Sequence, residues 1–80
     1  MKVTVHIERR AVIADPEGAM IARSLADLGY DEVTAVRTGR TLHLEVEGDD
    51  VESVEKRVID MCDRLLANPV IEDYRVEVDQ

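Results

Sequence analysis

The residues of this chain that could do covalent chemistry are few, and their spacing keeps them apart. Cys62 is the one thiol. It shares a helical face with Met61, Leu65 and Leu66, so it reads as part of a core, and buried thiols are inert. A nucleophile needs a base beside it, and a thiolate metal site needs a second cysteine at ligand spacing; neither is placed near Cys62. His6 and His43 fall on the polar sides of two strands and could approach each other on an open sheet face, as a ligand pair or as two solvated rings. Glu72-Asp73 and Asp49-Asp50 are adjacent carboxylates. Neighbours in a strand point to opposite faces, and Asp49 is explained by helix capping, so neither pair converges as acid–base chemistry requires. Gly39 and Gly48 stand alone in turns and cannot cradle a phosphate. No catalytic, cofactor-binding or metal-ligating residue is assigned, and no cofactor is expected.

Four arginines stand out instead. If the first strand and the strand after Gly39 lie side by side and antiparallel, the end of one meets the start of the other. Arg9, Arg10, Arg37 and Arg40 then gather at one edge of the sheet, either as a solvated turn or as an interaction patch. A turn needs only its glycine, so Arg37, Gly39 and Arg40 are the candidate partner-binding residues.

The whole composition limits what that partner can be. Asp and Glu number 18 against 10 Lys and Arg, a formal charge of −8, which repels the phosphates of nucleic acid. Two tyrosines and no Trp or Phe leave little for bases to stack on. A lone cysteine fits a reducing compartment. The start, Met1-Lys-Val-Thr-Val-His-Ile-Glu8, lacks a signal-like apolar run, and no stretch is long enough to span a bilayer. The expectation is a single cytoplasmic domain over residues 1–80 with no membrane contact. Its small core would gain from burial against another copy or a partner.

The elements that position these residues follow from periodicity. Val3, Val5 and Ile7 alternate with polar residues as a first strand. Asp15-Pro16-Glu17 opens a helix: Asp15 accepts an orphan N–H, Pro16 has none to waste, and Glu17 suits the dipole. Met20, Ile21, Leu25 and Leu28 carry it to a stop at Gly29. Residues 32–38 read as a second strand with imperfect alternation, because Ala35 and Val36 are both apolar. Thr38 to Thr41 reads as a hairpin turn with Gly39 at positive φ. Leu42, Leu44 and Val46 form the next strand. Asp49 with Glu52 reads as a capping box for a second helix carrying Val51, Val54, Val58, Met61 and Leu65. Asn68-Pro69 stops that helix, and Tyr74, Val76 and Val78 alternate in the last strand. The order β-α-β-β-α-β predicts an α+β two-layer sandwich, a four-stranded antiparallel sheet with two helices on one face. The ferredoxin-like arrangement is the default; a dimer could let the two halves splay apart.

Three segments then carry a family resemblance. Cys62-x-x-Leu-Leu-Ala-Asn-x-Val-Ile-Glu-Asp-Tyr74 closely resembles the C-terminal end of PurS, the small subunit of phosphoribosylformylglycinamidine synthase. Asp15-Pro-x-Gly18 and Val36-Arg-x-Gly-Arg40 are similar to the same family, in the same order and at similar intervals. Ala14 and Glu17 depart from its pattern, where a larger aliphatic and a glutamine are usual. The resemblance implies an accessory subunit without a catalytic centre. It would form dimers and bring a glutaminase subunit and a large, ATP-using synthetase subunit together. It would also support ammonia transfer between them in the fourth step of purine synthesis. An ACT-like amino-acid-sensing module shares the element order, but would carry a glycine-rich turn where this chain has Arg9-Arg10-Ala11-Val12.

Overall fold

The computed structural model describes residues 1–79. Three strands, β1 (Lys2–Arg9), β2 (Gly39–Glu45) and β3 (Glu72–Asp79), form an antiparallel sheet in the order β2-β1-β3. Two helices, α1 (Pro16–Asp27) and α2 (Val51–Met61), complete the chain. The registers place Val5 opposite both Leu42 and Val76, and Val3 opposite Leu44 and Val78, so one sheet face is apolar along all three strands. On that face Val3, Val5 and Ile7 are fully buried together with Val54, Val58 and Cys62. A wholly buried valine or isoleucine stabilises by roughly 1.5–3 kcal/mol, so this patch between β1 and α2 is the core.

The expected second strand is absent. Residues 32–38 form no ladder, and β1 is already paired on both sides. The segment instead returns along α1, where the Val36 carbonyl lies against Gly18. Its mixed alternation reflects a run with no sheet face to follow. The expected hairpin is also absent. Gly39 opens β2 opposite Glu8, and the positive-φ glycines are Gly29 and Gly48. What Gly39 supplies is close approach, because a Cβ there would stand 2.4 Å from the Ile7 carbonyl oxygen.

Nor do both helices cover one face. Only α2 packs against the sheet, over β1 and β3, while α1 stands clear as an arm. The chain extends 49 × 26 × 14 Å with a radius of gyration of 16.1 Å, against about 12 Å for a compact chain of this length. The arm is nonetheless well formed. Asp15 caps its start, and at its end Gly29 (φ 98°) lets Gly29 N–H reach the Ala26 carbonyl and Tyr30 N–H the Leu25 carbonyl, the paired closure of a Schellman motif.

The α2 start is shifted by one residue from expectation. Asp50, not Asp49, is the cap, accepting from the Ser53 N–H and hydroxyl. After Met61 the helix widens into a π-turn over Cys62–Leu66, closed by Ala67 N–H to the Cys62 carbonyl at 3.0 Å. Cys62 continues the buried helical spacing of Val54 and Val58, and the extra residue in the turn after it rotates Leu65, expected on the apolar face, out to 82% exposure. Tyr74 ties the turn to the sheet, its hydroxyl donating to Asp63 at 2.7 Å. Among the described residues no helix is long and apolar enough to cross a membrane.

Candidate functional site at the arginine end of the sheet

The expected gathering of arginines is present. Glu8 pairs with Gly39 and Arg9 with Glu72, so β1 ends where β2 and β3 begin, and the loop to α1 starts there. A sheet end bares backbone carbonyls that need donors. Arg37 Nη2 donates to the carbonyls of Arg10 (2.7 Å), Ile13 (3.0 Å) and, more loosely, Arg9 (3.4 Å). Arg9 Nη1 reaches the Ala14 carbonyl at 3.0 Å and Arg10 Nη2 the Pro69 carbonyl at 2.6 Å. Arg40 Nη2 reaches the Leu66 carbonyl at 2.8 Å. Of the three candidate partner-binding residues, Gly39 therefore lets the strands close, while Arg37 and Arg40 brace the loops beside it.

Two buried carboxylates complete the frame. Asp15 Oδ1 accepts from Gly18 N–H (3.0 Å) and the Thr38 hydroxyl (2.8 Å), and Oδ2 accepts from Thr38 N–H (2.6 Å). The Thr38 and Gly18 amides, with the Thr38 hydroxyl, hold its pKa down at about 2. Asp15 thus fastens the outgoing and returning segments of the arm to each other. Glu72 takes a forked pair of bonds from Arg40 (2.7 and 3.2 Å) and one from Asn68 N–H (2.8 Å). The Arg40 bond, then the Asn68 amide, keep its carboxyl below the usual range. It joins the turn after α2 to the sheet.

Sequence reasoning saw Asp15 only as a cap and Glu72 only as one of two adjacent acids. A signal for the second was present. Glu72 has the parity of Tyr74, Val76 and Val78, and Arg40 that of Leu42 and Leu44. Continuing the period of two places both charges on the buried face, where a carboxylate must find a cation.

Burial, then the charge of Asp63, pushes the Cys62 thiol up, so it holds its proton at neutral pH and is a core residue, as expected. His6 and His43 both lie on the open face, but Thr41 stands opposite His6 and Thr4 opposite His43. His6 Nε2 is 3.4 Å from Glu77, whose carboxyl is lowered first by Arg75 and then by His6. Among the described residues no group of three His, Cys, Asp or Glu could hold a metal ion. A cleft of ≈ 400 Å³ beside the start of α2 is lined by Val46, Asp50, Val54 and Met61 among others, and the Asp50 carboxylate there is engaged as the helix cap. This geometry braces the loops at the sheet end; among the described residues it does not align a nucleophile with a base.

Comparison with known proteins supplies the family. The PurS family of phosphoribosylformylglycinamidine (FGAM) synthase matches residues 2–80. The PurS subunit of Methanocaldococcus jannaschii is 40% identical over 79 residues, 99% of this chain and 95% of the relative. That of Bacillus subtilis is 39% identical over 99% of this chain and 93% of its own length. The crystal structure of M. jannaschii PurS superposes with a TM-score of 0.89 at 39% identity, covering 99% of this chain and 95% of that one. A chain in the structure of PurLQS from Thermotoga maritima superposes with a TM-score of 0.87 at 36% identity, over 95% and 93%. The match spans the segments that hold the loops at the arginine end, and the chain belongs to the PurS family of FGAM synthase subunits.

Proposed function

We propose that this chain is the accessory, non-catalytic subunit of a phosphoribosylformylglycinamidine synthase. It joins the glutaminase subunit to the large synthetase subunit and supports ammonia transfer between them. The observation that carries this reading is the full-length family match, with one neighbour solved inside a PurLQS assembly. It favours an assembly role over an amino-acid-sensing module, and in this reading the chain works in the cytoplasm. Arg37, Gly39 and Arg40 are the partner-binding residues in this reading, the two arginines through the guanidinium edges that their internal bonds leave free.

The same reading includes a homodimer. The chain exposes 6022 Å², while a compact protein of 9.0 kDa exposes about 4,850 Å². The excess, on the order of 1,200 Å², exceeds the ~800 Å² that each partner buries in a standard interface. It has an apolar source. Met20, Ile21 and Leu28 are exposed on the arm, and Leu42 and Leu44 are only half-covered where α2 leaves β2 bare. An arm and an open shelf on one chain are the two halves of an isologous contact.

The test is reconstitution. With purified large and glutaminase subunits, adding this chain is expected to raise glutamine-dependent amidine formation well above the ammonia-dependent rate's response. Full glutamine-dependent turnover without it overturns the proposal.

A further inference from the structure

Beyond the arm and the shelf, the molecule exposes a second set of large aliphatic side chains. Val12 is 90% exposed and Val70 75%. Each sits at the tip of a tight turn, one closed by Ile13 N–H to the Arg10 carbonyl and the other by Ile71 N–H to the Asn68 carbonyl. Turn tips in contact with water usually carry Gly, Asn, Asp or Ser. These two turns are far apart in sequence yet fastened to each other. Arg10 N–H donates to the Ile71 carbonyl at 2.9 Å, and the Arg10 side chain holds the Pro69 carbonyl and pairs with Asp73. The π-turn that presents Leu65 is tied to the same end by Arg40, through the Leu66 carbonyl.

We infer that the paired turns around Val12 and Val70, ringed by Arg9, Arg10, Arg37 and Arg40, are a preformed docking surface for a non-identical subunit whose contact face is apolar and rich in acceptors. This rests on the assembly reading above and names the surface it needs. Three features carry it. The apolar tips have no role in the core, and exposed apolar side chains rimmed by arginine, a residue enriched at interfaces, mark an interaction site. The surface is rigid before any partner arrives, because Asp15, Glu72 and Arg37 fix all the loops that build it, which lowers the ordering cost of binding.

The third feature is a hydrogen-bond imbalance. The carbonyls of Arg10, Ile13, Ala14, Leu66, Asn68, Pro69 and Ile71 already accept internal bonds. Asp15 and Glu72 are turned inward and Asp73 is held by Arg10, while the exposed Glu8 and Glu17 stand on the flanks, on β1 and on the first turn of α1. Around the tips the surface therefore offers guanidinium N–H groups and few free acceptors. An isologous contact would set donors against donors, so a second copy is a poor occupant here, and a carboxylate- or carbonyl-rich face of a different protein is a good one.

The experiment uses the full chain with Val12→Asp and Val70→Asp together, and the purified large and glutaminase subunits as separate ligands in a surface-binding assay. Both positions are exposed, so melting and self-association in sedimentation should match the parent. Binding to whichever subunit the parent holds should weaken at least tenfold. A double variant that binds both subunits as the parent does overturns the inference. So does a loss of binding that simply follows a loss of self-association, because the surface would then join copies. A parent that binds neither subunit overturns the assembly reading, and this surface with it.

Discussion

Gly18 offers a prediction in which two known effects oppose each other. In an exposed helix, Gly→Ala stabilises by roughly 0.8–1 kcal/mol, because alanine loses less backbone entropy. Gly18 lies in the first turn of α1 without a positive φ, so by propensity alone the change should help. Its surroundings say otherwise. A Cβ at Gly18 would stand 2.3 Å from the Val36 carbonyl oxygen and 3.0 Å from Asp15 Oδ2, whereas an ordinary carbon–oxygen contact is about 1 Å longer. The obstacle is backbone, and it cannot swing away, because Thr38, two residues on, is held to Asp15 by two short bonds. Overpacking of this kind costs about 1–3 kcal/mol, and separating the segments also stretches the Asp15 bonds. The clash should win by about 1–2 kcal/mol, a fall of very roughly 5–15 °C in melting temperature for a chain this small. Thermal melts of Gly18→Ala and the parent, at one fixed protomer concentration because association shifts the midpoint, make the comparison. Ser24→Ala, exposed in the same helix, is the control and should melt level with the parent or slightly above it. If Gly18→Ala melts at or above the parent, the close approach of Val36 is not a constraint and the account of this motif is wrong.

The remaining predictions concern the clamps and the core. The folded pKa of Asp15, about 2, lies below its ordinary 3.8, so its contribution is complete above pH ~4 and is lost as the pH falls toward 2. Glu72 is lowered in the same sense; melting temperature should therefore drop between pH 5 and 2, less steeply in Asp15→Asn, and a flat parental profile would refute the clamp. Cys62 should react with a thiol reagent only as fast as the chain opens, since it is wholly buried and its pKa is raised. Cys62→Ser should cost roughly 1–3 kcal/mol by burying a hydroxyl while leaving the reconstituted synthase within a few-fold of the parent; rapid labelling of the folded chain would show that the thiol is accessible.

What could be read from the residues was whatever depends on local pattern. β1, β3, the strand after Gly39, both helices and the Gly29 stop follow from period and capping, and each is present. The misreadings share a cause, since each depends on what lies across the gap. Residues 32–38 have apolar members like a strand, but a strand exists only where an edge accepts it, and both edges of β1 were taken. Gly39 looked like a turn glycine because a turn and a close strand approach exclude a side chain equally well. Leu65 kept the helical period up to a π-turn that no residue type announces. Arg37 and Arg40 looked superfluous because the carbonyls they serve belong to residues 9–14 and to Leu66, unknowable without the fold.

The arginine end and the arm are one construction. An 80-residue chain that lets α1 leave the sheet forfeits part of the apolar burial that would otherwise orient the helix, and something else must set its direction. Residues 10–15 lead out to the helix and residues 36–38 lead back. Arg37 joins the return to the carbonyls of Arg10 and Ile13, and Asp15 joins Thr38 to the helix start. Polar bonds therefore do here what packing does between β1 and α2. They also have a different character, because hydrogen bonds fix direction whereas apolar contact mainly fixes distance. The arm is held at a set angle with its apolar face unfilled, as the proposed dimer requires. The Arg37 bonds also stiffen the turn bearing Val12, to which Arg10 fastens the turn bearing Val70. A change at Asp15 or Arg37 should consequently disturb copy–copy and partner contacts together, whereas changes at the turn tips or along α1 should separate them.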